Sequence, residues 1–236
     1  MTPATNEYGQ PVGPPLDGSL PAERPPRSPM LGTFCRLEPI NAEEHGPDLW
    51  EAFSAATDNR EWTYLPYGPF DHADDFTAWL ERFDDRPLAD PMLFAVIDST
   101  SNRAVGVAAY LRIDPRSGSI EVGHIHYGAV LQQTPAATEA MYLMMRRAFE
   151  TGYRRYEWKC DSLNAPSRSA AERLGFRYEG TFQKATHYKG RSRDTAWFAV
   201  VDHEWSPLRD RFEQWLSAEN FDAAGRQRRR LGSAEA

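Results

Sequence analysis

The sequence predicts an α/β (or α+β) domain built on a mixed sheet, and three observations carry that expectation. Helical and strand-like hydrophobic periods alternate between residues 31 and 217, with no internal repeat and no low-complexity linker, so this stretch reads as a single domain. The early strands are joined by short polar turns, which makes antiparallel hairpins, whereas a later strand-helix-strand stretch calls for a parallel crossover. With 41% hydrophobic and 26% charged residues in 236, the chain has apolar side chains enough for a core and too many for whole-chain disorder.

The elements follow in order. Residues 33–40 read as a strand ending at Pro39. Asn41 then caps a helix running toward Ala56, with Glu43 and Glu44 in the first turn, where the helix dipole favours them. Phe76, Trp79, Leu80 and Phe83 recur at helical spacing and mark a second helix after the Gly68-Pro69 turn. Residues 92–98, 104–113 and 119–127 are strand-like; the last two flank Asp114-Pro-Arg-Ser-Gly118, which is hairpin turn chemistry. Ala137, Met141, Met144, Met145 and Ala148 mark a third helix. A strand over 153–160 has Tyr156, Trp158 and Cys160 on one face, and the helix over 166–174 stops at Gly175, a left-handed cap. Two strands near 176–187 and 195–202 flank a Lys-Gly turn, and Leu208, Phe212, Trp215 and Leu216 form an amphipathic last helix.

Beyond these limits the chain changes character. The first 30 residues hold 8 of the 18 prolines and almost no apolar period, so residues 1–30 are expected to form a disordered, proline-rich arm. Residues 218–236, with Arg226, Arg228, Arg229 and Arg230 among small polar residues, are expected to be a flexible tail. The balance of 27 basic and 34 acidic residues gives a net charge of −7, which argues against a dedicated binder of nucleic acid or anionic membrane. No apolar run approaches the roughly 18 residues of a spanning helix, and no signal-peptide pattern opens the chain. Two cysteines, Cys35 and Cys160, leave no room for a disulfide framework or a four-cysteine zinc site. The expectation is a cytoplasmic protein with reduced thiols and no metal.

Three places could carry chemistry. In Ile120-Glu-Val-Gly-His-Ile-His-Tyr127 the apolar face switches sides around Gly123, as one extra residue in the ladder would make it do; such a bulge re-aims groups and frees backbone N–H. The competing reading is a strand buried on both faces with two satisfied histidines. In Gln132-Gln-Thr-Pro-Ala-Ala-Thr-Glu139, Thr134 is a good cap, Pro135 suits the first helical position, and Ala136 and Ala137 leave the backbone open to an anion. Most capped helices bind only water. In Asn164-Ala-Pro-Ser167, an amide and a hydroxyl stand at the end of the sheet where open sheets bind ligands; the competing reading is ordinary capping by Asn164.

Together these features resemble the GNAT superfamily of N-acetyltransferases, over about Phe34 to Trp205, and within it the RimJ/RimL-type branch. The likeness is most specific in Ile120-Glu-Val-Gly123, Ala137-Thr-Glu-Ala140, and Asn164-x-x-Ser167 running to Leu174-Gly-Phe176. It implies a mostly antiparallel sheet of six to seven strands flanked by helices, with a splayed central pair. It implies acetyl-CoA as co-substrate, with the pantetheine arm beside Ile125 and Tyr127, and the pyrophosphate held by the loop of Gln132, Gln133, Thr134, Ala136, Ala137 and Thr138. Asn164 and Ser167 would face the pantetheine and thioester. Two departures stand out. Pro135, which has no N–H, replaces a glycine of the family's loop, and Gln133 replaces another. The tyrosine that many relatives carry seven residues beyond the asparagine is Ala171 here, so it supplies no general acid.

Acetyl transfer to an amine needs that amine neutral, and the base candidates are Glu121, then His124 and His126. Each has a bland alternative, a structural carboxylate or a satisfied histidine. A backbone N–H near Ile125 would polarise the carbonyl, and Ser167 would protonate the thiolate or merely cap its helix. Trp62, Tyr64, Tyr67 and Phe70 would wall the pocket for the acceptor, a small-molecule or peptide amine, or would instead plug the core under their loop. The leading expectation is an acyl-CoA-dependent N-acyltransferase attacking directly in a ternary complex. Its rival is a non-catalytic relative that keeps the fold as a ligand-sensing or interaction module. Relatives of this kind often form homodimers through the last strands and helix.

Overall fold

The computed structural model describes residues 4–16, 18, 20–84, 90–223 and 225–231. A short ribbon, β1 (Ala4–Thr5) and β2 (Pro11–Val12), precedes the main sheet. The sheet has eight strands: β3 (Met30–Leu31), β4 (Cys35–Pro39), β5 (Met92–Asp98), β6 (Ala104–Asp114), β7 (Ser119–Tyr127), β8 (Arg155–Asp161), β9 (Arg177–Tyr188) and β10 (Arg191–Val201). Their spatial order is β3-β4-β5-β6-β7-β8-β10-β9, one more strand than expected because the two-residue β3 joins the edge. Only β7 and β8 are parallel, as the intervening α3 (Pro135–Glu150) requires.

The helices divide between the two faces. α1 (Ala42–Ser54), capped by Asn41 as expected, and α2 (Ala73–Glu81) cover β5 and β6, with Phe53, Phe76, Trp79 and Leu80 in that core. On the opposite face α3, α4 (Ala165–Arg173) and α5 (Asp202–Leu216) enclose the larger core. Gly175 ends α4 at φ +91°, the left-handed cap its position called for. The apolar stripe of α5 is consumed by this core: Leu208, Phe212 and Trp215 are buried against α3 and its neighbours.

Both expected flexible ends differ in part from the expectation. Residues 20–31 do not stand free: Ala22 and Met30 are buried, and the Arg147 guanidinium of α3 donates to the carbonyls of Pro26, Ser28 and Pro29 at 3.2, 2.5 and 2.7 Å. Proline removes N–H donors but leaves the carbonyls, and one long cation gathers them. Residues 4–12, likewise in the expected arm, form the β1–β2 ribbon, turned by the Asn6 carboxamide, which accepts from the N–H of Tyr8 and Gln10. At the other end the chain folds back. Asn220 bonds to the carbonyl of Trp215, Phe221 bridges to Gln227, and Leu231 is buried in the larger core. The remaining parts of both ends, residues 1–3, 17, 19, 224 and 232–236, lie outside the described residues. Among the described residues no helix is long and apolar enough to cross a membrane.

Candidate active site

The register of β7 bears out the expected bulge. Gly123 lies opposite Ala109 and His126 opposite Val107, so His124 and Ile125 together face the single residue Ala108. His124 takes φ +50°, a left-handed conformation that one type of bulge uses for its inserted residue. The strand therefore shows Ile120 and Val122 to the larger core, and then, one residue out of step, turns Tyr127 to that core and His126 to the other. On its other side β7 pairs with β8 only from Ser119 opposite Arg155 to Val122 opposite Trp158. Both strands continue beyond that point, β7 with β6 and β8 with β10. A cleft opens between them, with the bulge on one wall.

The loop that follows β7 forms the mouth of this cleft. Gly128 O accepts from the N–H of Leu131 and Gln132, and Thr134 caps α3 by accepting from Ala137 N at 3.2 Å. Ala137 N–H is thus already engaged, and Thr138 is the first position whose N–H the helix ladder takes up. These two, together with Gln132 and Thr134, whose N–H groups go to the carbonyls of Gly128 and Leu131, therefore fall out of the expected set of backbone phosphate donors. Thr138 also turns its hydroxyl inward, where it accepts from Arg173 at 2.6 Å. Gln133 and Ala136 keep N–H groups outside these bonds, at a helix start with no acidic side chain. Gln132 braces the loop, its Nε2 donating to Glu61 and to the Tyr127 carbonyl at 2.7 and 2.8 Å. Gln133 sits at φ +60°, a left-handed conformation that glycine takes up without strain. Replacing it by glycine is expected to add about 1 kcal/mol of stability by relieving a left-handed side chain. Thermal melting reads this as a rise of about 2–4 °C.

Opposite the bulge stands the start of α4. Asn164 is its cap and accepts from Ser167 N at 3.1 Å, so the cap reading holds for its side-chain oxygen. The Ser167 hydroxyl accepts from the Trp158 indole at 3.0 Å and lies beside Cys160, whose thiol burial pushes up. Ala171 is fully buried. On the α1–α2 face the aromatic loop divides. Trp62 and Phe70 are packed in the smaller core, as the plug reading has it. Tyr64 reaches across the cleft to the Leu163 carbonyl at 3.2 Å, and Tyr67 stacks parallel to His124, its hydroxyl 3.1 Å from His124 Nδ1.

The three base candidates separate on electrostatics. His126 is buried, stacked on Trp62 and edge-on to Phe53, both at 4.1 Å, and its Nε2 has no partner among the described residues. Burial lowers its pKa to about 4, and burial and the Arg112 charge do the same for His124. Both are neutral at pH 7, and His126 is a packing group, which corrects its place among the bases. The unfolded chain takes up a proton near pH 6.5 that the folded His126 accepts only near 4. Its stabilising effect is complete above pH 6.5 and is lost as pH falls to 4, about 3 kcal/mol in all. His126→Phe is expected to remove that part of the acid destabilisation, as urea melts between pH 4 and 7 will read.

Glu121 is placed differently. It lies on the α1–α2 face of the sheet, 3% exposed, and its Oε2 accepts from Arg112 at 2.6 Å and Lys159 at 2.8 Å. Burial raises its pKa against the pull of those two cations. Neither partner figured in the sequence reading. Lys159 had a signal: in Arg155-x-Glu-x-Lys159, charges alternate with Tyr156, Trp158 and Cys160, which puts them on the face shared with Glu121. Arg112 had none, because it turns toward Glu121 through its own φ +48° bulge, held by Asp90.

The family model described as "Acetyltransferase (GNAT) domain" matches residues 36–177. A GCN5-related N-acetyltransferase structure from Brucella melitensis is 45% identical, with TM-score 0.88 over 92% of this chain and 97% of that one. A structure from Chromobacterium violaceum ATCC 12472, described as a probable acetyltransferase of the GNAT family, is 40% identical, with TM-score 0.76 over 83% of this chain and 97% of its own. No curated protein matches. The class that fold and cleft define is an acetyltransferase, and the chain belongs to the GNAT family.

Proposed function

We propose that the protein transfers an acyl group, most simply acetyl, from acetyl-CoA to a primary amine of a small molecule or peptide N-terminus, in the manner of the RimJ/RimL-type branch and in the cytoplasm. The observation that carries this reading is the cleft between β7 and β8, where the bulge, the Gln132 loop and the start of α4 converge. The fit to the nucleotide rests on Gln133 and Ala136, whose N–H groups would hold the diphosphate, although Pro135 offers none. Tyr127 and Asn164 would flank the pantetheine.

Acetyl-CoA supplies the thioester carbonyl that an amine attacks in a ternary complex. Ile125 lies inside the bulge, and its N–H would polarise that carbonyl oxygen. Glu121 takes the proton that the amine must lose, directly or through one water. Ser167, whose oxygen is already held by the Trp158 indole, keeps its proton to donate to the departing thiolate. The acceptor enters over the α1–α2 face, past Tyr64 and Tyr67.

Thermal melting with acetyl-CoA tests the binding half. Ligand at about 100 times its dissociation constant adds about 2.7 kcal/mol, or a rise of about 5–10 °C. A screen of acetyl-CoA consumption over amines and peptides then names the acceptor. The changed residues at Gln133 and Pro135 favour one second reading, a non-catalytic ligand-sensing module. A melting temperature unmoved by any acyl-CoA would decide for it.

A further inference from the structure

We infer that Lys159 is a positioning residue for the acyl transfer: with Arg112 it grips one oxygen of Glu121 and aims the other at the bulge, where the acceptor amine gives up its proton. The inference rests on the reading of Glu121 as the base. Lys159 is the first residue of β8 beyond the last β7–β8 pair, so its side chain crosses the head of the cleft from the opposite wall. Its ammonium is 2.8 Å from Glu121 Oε2 and 2.7 Å from Glu157 Oε2, and it lies 3.6 Å over the ring of Trp197. The side chain is only 6% exposed, which is rare for lysine unless every face of the ammonium is engaged. Arg112 arrives from β6 at the same oxygen, 2.6 Å away. Oε1 is left on the Gly123 side, 3.7 Å from where a Cβ on that glycine would stand. Gly123 adjoins the inserted His124 and Ile125, so the free oxygen points along the strand toward the reacting centre.

The geometry does two things at once. Two cations on Oε2 fix the carboxylate's rotation, and Trp197 with Glu157 fixes Lys159. A buried carboxyl without them would also keep its proton to higher pH and so fail as a base near neutrality. The charged groups in contact with this carboxyl are Arg112 from β6 and Lys159 from β8; Glu157 and Arg155 of β8 stand behind Lys159, and His124 of β7, near Arg112, is neutral at pH 7. Asp90, just before β5, holds the backbone of Arg112, and Glu179 from β9 pairs with Arg155.

The test compares Lys159→Met, Lys159→Arg and Glu157→Gln in the full chain. The Glu121 carboxyl is titrated by carbon NMR without any ligand, identified by its loss in Glu121→Gln. Loss of one close cation is expected to move that titration up by about 1–3 pH units in Lys159→Met. The acidic limb of kcat/KM is expected to move with it, with KM for acetyl-CoA unchanged, and Lys159→Arg is expected to restore most of both. Glu157→Gln leaves Lys159 to Glu121 alone and moves both downward, which decides the matter should Lys159→Met fail to fold. A Glu121 titration that stays put in the folded variants overturns the inference. A titration that moves while the rate profile does not would instead remove Glu121 from the role of base, and with it the purpose assigned to Lys159.

Discussion

Glu121→Gln is expected to cut acetyl transfer by about 10²–10⁴-fold, the range a general base contributes, and to leave the acetyl-CoA melting shift where it was. The two halves of that expectation have separate physical sources. The proposed diphosphate donors, Gln133 and Ala136, lie at the start of α3, whereas Glu121 lies on the far side of the bulge on the α1–α2 face. Glutamine keeps the shape and can still accept from Arg112 and Lys159 through its one oxygen, so the fold survives. What it loses is the capacity to take a proton. Lys159 keeps Glu157 as counter-ion at 2.7 Å, so no bare ammonium is left in the interior. Steady-state acetyl-CoA consumption against the best acceptor of the panel, beside melting curves with and without acetyl-CoA, measures both quantities. Undiminished turnover would make Glu121 a structural brace between β6 and β8.

The bulge was legible because a strand's side-chain period is two, so one inserted residue moves every later side chain to the other face. Ile120 and Val122 against Tyr127 recorded that shift, and the register of β7 on β6 realises it. The cleft followed from the same segment, since a parallel strand cannot track a bulged neighbour. The elements around it were legible for similar local reasons: Asn41, Thr134 and Gly175 each mark a helix end by their own chemistry.

What stayed hidden is nonlocal. Nothing near Arg147 announces that it will collect three carbonyls some 120 residues earlier, and without that contact a proline-rich stretch reads as free chain. The Lys159–Glu121 pair depends on the register of two strands separated by a whole helix, which neither strand encodes alone. The division of the aromatic loop, with Trp62 buried and Tyr67 on His124, depends on where α2 settles. Composition said only that aromatics were there.

Glu139 was another such residue, visible in the sequence only as part of a family-like stretch, and its replacement is expected to cost the most stability. Its buried side chain reaches from α3 to the entry of β4, where it accepts from the N–H groups of Thr33, Phe34 and Cys35 at 2.8, 2.6 and 2.8 Å. Gly32 makes room for it, because a Cβ there would stand 2.4 Å from the carboxyl. Three donors converge on one side chain, so removing it strands them together. Glu139→Ala is expected to lose on the order of 3 kcal/mol, because each unsatisfied buried donor costs about 1–3 kcal/mol and water reaches the outer ones. The melting temperature should fall by about 6–12 °C. Glu139→Gln keeps one acceptor oxygen but turns an amide N–H₂ toward the remaining donors, so it should fall between wild type and alanine. The same tether fixes the first turns of α3 against the sheet, and the loop of Gln132 and Gln133 hangs from that end. Loosening it should therefore also shrink the melting shift produced by acetyl-CoA, whereas Glu121→Gln leaves that shift intact. A stability loss below about 1 kcal/mol, no more than a typical single hydrogen bond contributes, would mean that water replaces the carboxyl and that β4 and α3 are held together by their apolar contacts alone.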